Sequence, residues 1–470
     1  VAAGAYVSRR VRRAGDFFVA GRSLPGGLVF VSLLAANIGA GSTVGATGLA
    51  YRHGLSAWWW SGSAAIGCLF LGLVVAPRLH RLAAERGLLT VGDFLEWRFD
   101  RSVRGLVAAI LWLGTLAILA GQLIAMAWAL EVMLDLPKAW GCLLSGAVLV
   151  AYFSGGGLLA SVWVNVLELA VLLIGFILAV PYATRAAGGW TALSAAGADP
   201  AYGSLTGMGW PGILGLAVIF VPSFIVSPGL IQKTFGARTA AGARGAALLN
   251  AAALAAFAFI PPLLGMSARA LRPGLSNPEL ALPSLLTLPE ALPPWLGALG
   301  LAALFAAEIS TADAILFMLS TSLSQDLYKS FLNPGADDRR LLGVSRWTSV
   351  AAGALGVGLA MLLPTVVDAL KTFYGILTAT LFVPLLAGLL SSRPTARHAR
   401  TAVVVSLLVV VAARAWLSGS PLASWLPFAA AIVAATVVIV VGGSRAGGPR
   451  GQTAGGGEGE GLGKRNSAGT

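Results

Sequence analysis

The sequence predicts an all-α membrane protein with about twelve complete transmembrane helices, and three observations predict it. Apolar residues make up 57% of the 470 and charged residues only 11%, whereas a soluble protein carries roughly 25% charged residues. The apolar residues come in long blocks: 106–129 contain only Thr115 and Gln122 as polar side chains, and 403–417 contain a single Arg. About 20 apolar residues cross the hydrocarbon core as a helix, and no backbone polar group goes unpaired there, so each block is helical. Lys and Arg, finally, are distributed asymmetrically between alternate connectors.

The same numbers exclude other classes. A net charge of +13 does not indicate nucleic acid, because the basic residues sit in short connectors between apolar blocks. Cys68 and Cys142, the two cysteines, fall inside predicted helices and read as small core residues, not as a disulfide or metal pair. His53, His80 and His398 lie in connectors, so there is no cluster of the kind an integral membrane enzyme needs. No enzymatic activity, no cofactor and no nucleic-acid partner are expected.

In chain order, residues 1–7 are apolar but too short to span, and Ser-Arg-Arg-Val-Arg-Arg follows at once. This reads as the truncated end of a first helix, with 1–26 completed by a cytoplasmic loop. Twelve helices follow at about 27–51, 55–78, 104–134, 139–153, 158–183, 211–232, 243–270, 296–328, 346–367, 371–391, 399–417 and 422–442. Residues 81–104 are amphipathic and belong at the membrane surface, and connectors 184–210 and 272–294 have room for short surface helices. The tail 443–470 is Gly-rich, polar and aperiodic, which reads as disorder. Counted over alternate connectors, 25 of the 32 Lys and Arg residues fall on one side and 7 on the other. The basic side is cytoplasmic, which places the C-terminus there and makes the chain a multi-pass protein of the cell (inner) membrane.

Two helices carry breaks. The first, at 27–51, contains Asn37-Ile-Gly-Ala-Gly-Ser-Thr at its centre, where Gly39 and Gly41 weaken the helix. The sixth, at 211–232, contains Pro222-Ser-Phe-Ile-Val-Ser-Pro-Gly, where Pro222 and Pro228 each remove a donor. One break alone is commonly a packing device. A pair at matching places in two halves points to a transporter site at an inverted-repeat interface. The eighth helix, 296–328, carries Ala307-Glu-Ile-Ser-Thr-Ala-Asp, which places Ala307, Ser310 and Thr311 on one face. Two hydroxyls and a carbonyl make half of an all-oxygen nest, and the carbonyls of Ala35 and Ile38 at the first break supply the rest. Hard cations favour such ligands, although Ser and Thr in a helix often only bond back to it.

These stretches resemble the sodium/solute symporter family, which includes sodium-coupled glucose and proline transporters. The resemblance rests on DFFVAGRSLPGGLVFVSLLAANIGAGSTVGATGLAYRHGL leading into the first core helix, VGDFLEWRFD after the second and GGGLLASVWVNVLE in the fifth. LIQKTFGART in the sixth and LAALFAAEISTADAILFMLSTSLSQDLYK in the eighth complete it. It implies a leucine-transporter-like fold, a ten-helix core over 27–391 in two inverted repeats of five (27–183 and 211–391), and two accessory helices over 392–442. It also implies sodium-coupled symport of a small organic solute by alternating access, with the sodium ion, the solute and the bilayer as partners. The family's sodium site falls on Ala35, Ile38, Ala307, Ser310 and Thr311. The chain departs from the family in the fifth helix, where Trp-Thr-Asp-x-x-Gln is replaced by Trp163-Val164-Asn165-Val166-Leu167-Glu168. Asn165, Glu168, Glu308 and Asp313 are therefore the ion-pathway candidates, since intramembrane carboxylates default to function, with a paired structural acid as the other reading of Glu168. Sugar transporters place a Tyr-Glu pair where Trp60 and Ser61 stand here, which argues against a sugar. Asn37, Ser42, Trp60, Ser61, Phe224 and Ser227 are the candidate solute contacts. At least two rings of Trp58-Trp59-Trp60 belong to the membrane interface. Two alternatives remain: a proton-coupled or other amino-acid transporter of this fold, and a transporter-like sensor, for which the tail shows no signalling-domain pattern.

Overall fold

The computed structural model describes residues 19–153 and 157–445, and the side chains of all of these except 152, 153, 157–164, 338 and 443–445. The expected stump at 1–7 and the tail 446–470 lie outside the described residues. Among the described residues twelve helical rods follow one another: α1 (26–53), α2 (58–86), α3 (Arg101–Leu134), α4 (Lys138–Phe153), α5 (Gly157–Ala186), α6 (Gly209–Phe235), α7 (Ala240–Leu271), α8 (Pro294–Leu332), α9 (Asp338–Leu362), α10 (Val366–Leu390), α11 (Ala396–Trp416) and α12 (Leu426–Arg445). Eight apolar helices are individually long enough to cross a membrane, one of them running continuously from the second half of α1 through α2. α4 and α12 are shorter apolar helices. α9 is more polar because Arg339, Arg340 and Arg346 lie in its first part.

The connectors fold as their sequences direct. Thr90-Val-Gly-Asp forms a reciprocal capping box: the Asp93 amide donates to Thr90 Oγ1 and the Thr90 amide to Asp93 Oδ2, both at 3.0 Å. This starts the surface helix Val91–Arg98. Short helices fill the other long connectors, at Gly189–Ala195 and Ala281–Leu286. Glu279, between α7 and α8, accepts from the amides of Val366 and Val367 and from Trp128 Nε1 at 3.0–3.1 Å. It thereby joins α3 to the N-terminus of α10, where a carboxylate suits the helix dipole. Burial pushes its carboxyl above the usual carboxylate value, while these donors pull the other way.

Both breaks exist, with one correction of position. α1 stops at Asn37, Ile38 is extended (φ −106°, ψ 90°), and a π-turn resumes the helix at Gly41–Gly45. α6 is interrupted at Val226 and Ser227. Pro222 stays inside the first half of α6, where the break was expected to begin. Pro228 makes the break, because it forces the preceding residue out of the α region (Ser227 has ψ 116°) and then serves as the first residue of the next half-helix. The first half of α1 and the second half of α6 are joined: buried Lys233 of α6 donates to Ser32 O and Oγ of α1, at 3.1 and 2.9 Å. α5 packs along α8, α2 along the first half of α6, and α3 along α10.

Candidate ion and solute site

The end of the first half of α1 leaves carbonyls without intrahelical donors. The donor that would continue the helix is diverted, since the Ala40 amide bonds to Gln122 Oε1 of α3 at 2.9 Å. Against these carbonyls α8 presents the face read from its spacing. Ser310 Oγ lies 3.2 Å from Ala35 O and 3.0 Å from Ala307 O, and Thr311 Oγ1 lies 3.2 Å from both Ala35 O and Ile38 O. All five residues expected to form the nest are therefore together and buried. Two hydroxyl protons serve three carbonyls, and the separations exceed the usual O–H···O distance of about 2.7–2.8 Å. Gly39 permits the approach of the two helices. A Cβ there would collide with Thr311 Oγ1 and lie 2.7 Å from Gln122 Oε1.

A second space adjoins this nest. Asn37, Ser42, Trp60, Ser61 and Phe224 border its upper part, and Asn37, Phe224 and Ser227 its lower part, so all six expected solute contacts face it. Trp60 is buried and packs on Phe220, with ring centroids 4.6 Å apart, while Trp58 and Trp59 are half-buried. Ser61 Oγ is buried without a hydrogen-bond partner among the described residues. Asn37 is partly engaged: its Nδ2 donates to Asn250 Oδ1 of α7 at 3.2 Å, and its carbonyl accepts from Ser42 Oγ at 2.8 Å. Sequence reasoning missed Gln122, Tyr374 and Lys233. Gln122 was visible as the one amide in an apolar span. The Tyr374 ring packs at a tilt against Phe220 and Phe224, with centroids 4.8 and 5.0 Å apart, and Lys233 borders the lower space. Nothing in the sequence pairs these two with the breaks.

The four ion-pathway candidates divide into two groups. Glu308 faces α1, where Thr43 Oγ1 donates to its Oε1 at 2.7 Å, and its Oε2 has no hydrogen-bond partner among the described residues. Asp313, five residues on and turned away from it, acts electrostatically on Glu168 of α5 and on Lys233 of α6. Asn165 is fully buried on α5, and Glu168 is half-buried.

Beside the surface helix a third space lies between α3, α6, α8 and α10, and it shares Met318 and Phe373 with the lower part of the second space. Its outer wall is an ion-pair cluster. Arg104 of α3 contacts Asp93 at 2.7 Å, Glu96 at 2.7 Å and Asp326 of α8 at 2.8 Å, and Thr90 Oγ1 donates to Asp326 at 2.7 Å. One guanidinium ties the surface helix, α3 and α8 together, an arrangement not foreseen from the sequence.

This architecture has relatives. A family model described as the sodium:solute symporter family matches residues 17–406. The sodium/glucose cotransporter of Vibrio parahaemolyticus is 27% identical over 431 residues, covering 83% of this chain and 78% of the relative. The sodium/pantothenate symporter of Escherichia coli (strain K12) is 27% identical over 411 residues, covering 83% and 82%. Among solved structures, a sodium-coupled sialic acid symporter in a substrate-bound outward-open state superposes with a TM-score of 0.79 at 19% identity, covering 94% of each chain. At that identity the likeness concerns the fold, which is leucine-transporter-like, as expected. With the family model matched over most of its length, on a fold of two broken helices, this chain belongs to the sodium:solute symporter family.

Proposed function

We propose that this chain couples sodium entry to the uptake of a small organic solute by alternating access, in the cell membrane with its C-terminus cytoplasmic. The observation that carries the reading is the five-oxygen nest of Ala35, Ile38, Ala307, Ser310 and Thr311. Hard cations sit roughly 2.3–2.6 Å from oxygen ligands, which sets neighbouring ligands about 3.3–3.6 Å apart. Separations of 3.0–3.2 Å in the nest are close to that spacing. The negative end of the first half-helix of α1 favours a cation there, and the neutral ligands suit a single positive charge. One cation crossing about 150 mV supplies ~3.5 kcal/mol, and a tenfold gradient adds ~1.4 kcal/mol.

The solute space supports a molecule with an apolar body and a polar head. Trp60, Phe224 and Tyr374 offer aromatic faces, and Asn37, Ser42, Ser61 and Ser227 offer polar atoms. Lys233 and the amide end of the second half of α6 border its floor, which favours a carboxylate over a sugar. Asn165, Glu168 and Asp313 are proposed to line the route by which the cation leaves. The test is uptake into proteoliposomes, screening small carboxylates and amino acids with and without a sodium gradient. Ser310→Ala and Thr311→Ala should each raise the half-saturating sodium concentration about tenfold or more and leave the folded yield intact. Uptake driven equally well by a proton gradient without sodium would replace this reading with proton coupling.

A further inference from the structure

On the outer side of the molecule, the C-terminal parts of α10 and α12 border a groove of about 410 Å³, against about 50 Å³ or less in each internal space. Its walls are apolar: Leu386 and Leu390 of α10 face Ile439 and Val440 of α12. Leu390 and Val440 are 57% and 62% exposed, so the groove opens outward. At its mouth, where α10 ends, the wall becomes Ser391, Arg393 and Pro394.

Two neighbouring basic side chains are already engaged. Arg98 donates to the carbonyls of Gly388 and Ser391 at 3.0 and 2.7 Å, which covers the negative end of α10. Arg400 lies 3.5 Å from Asp100. Arg393 is exposed, has no ion pair among the described residues, and borders the groove directly. An apolar slot that ends in an unpaired guanidinium matches a lipid with apolar chains and an anionic headgroup, and a guanidinium grips phosphate oxygens in a bidentate manner.

We propose that this groove is a binding site for an anionic phospholipid of the cytoplasmic leaflet, with one acyl chain between α10 and α12 and the phosphate on Arg393. The leaflet assignment rests on the orientation given above. Lipid binding itself is measured without transport, so a failure of this site and a failure of the sodium-symport reading remain distinguishable.

The experiment uses the full chain, purified and delipidated in a neutral detergent. Native mass spectrometry and thermal unfolding follow the addition of phosphatidylglycerol or phosphatidylcholine with identical chains. The wild type should retain phosphatidylglycerol about five-fold more tightly and unfold at a higher temperature with it, as one basic side chain near a headgroup implies. Arg393→Gln, at an exposed position, should fold normally and bind the two lipids alike. Ala387→Phe, which fills the slot, should weaken both. Equal binding of the two lipids by the wild type, or a preference that survives in Arg393→Gln, overturns the proposal. So does equal stabilisation by glycerol phosphate without acyl chains, which would make the site one for soluble phosphate.

Discussion

Asn37 is where the solute space and the ion nest meet. It lies one residue before Ile38, whose carbonyl belongs to the nest, and its side chain reaches α7 through Asn250. A solute that competes for the amide therefore acts on the same unwound turn that a cation orders, and such coupling is reciprocal. In the wild type, sodium should tighten solute binding by a factor of about 5–150, measured by calorimetry with and without sodium. Asn37→Ala should bring that factor close to one. Coupling of equal size in the two proteins would reduce Asn37 to a packing residue between α1, α2 and α7. Glu168 calls for a different test. It stands one turn beyond Asn165, where the family pattern has an acid, and lies in the field of Asp313. Glu168→Gln should slow sodium release and depress transport with solute binding preserved. Normal transport by this variant at every pH and sodium level tested would make Glu168 a structural acid.

At the scale of elements, we propose that the cluster around Arg104 closes the cytoplasmic side. The Arg104 guanidinium bonds to three carboxylates and to the carbonyl of Gln325 at 3.0 Å. Asp326 and the Gln325 carbonyl connect it to α8, which also carries the proposed ion nest, so the cluster would tie cytoplasmic closure to the helix that would bind sodium. Breaking a buried pair by removing one partner costs about 3–5 kcal/mol; the loss is smaller here because Asp93 and Glu96 remain. Asp326→Asn should thus shift the population towards the form open to the cytoplasm. A cysteine introduced as Met318→Cys, between the two lower spaces, reports this as a rise of about tenfold in labelling rate from the cytoplasmic side. The two native cysteines are buried and contribute little background. An unchanged rate in the double variant would show that the ion-pair cluster is a static brace.

At the scale of the whole molecule, a cation between α1 and α8 joins helices from the two halves, so it should stabilise the entire fold. Sodium at 100 times its dissociation constant should add about 2.7 kcal/mol, seen as a higher unfolding temperature with sodium than with choline at equal ionic strength. Ser310→Ala with Thr311→Ala should abolish the difference. The helix count, the surface helix and both breaks were legible in the amino-acid sequence by itself, because each follows from local chemistry. Apolar length, capping pairs such as Thr90 with Asp93, and Gly or Pro within an apolar span act over a few residues and leave their mark there. The residues of the nest were legible for the same reason: Ala307, Ser310 and Thr311 share a face through helical period, and the Gly39–Gly41 break marks the carbonyls of Ala35 and Ile38. Only the tertiary structure decided the rest. It brought Gln122 to the Ala40 amide, Lys233 to Ser32, and Arg104 to Asp326 across 222 positions of chain. Such contacts arise from which faces of distant helices meet, and periodicity along one helix does not say which partner its face will find.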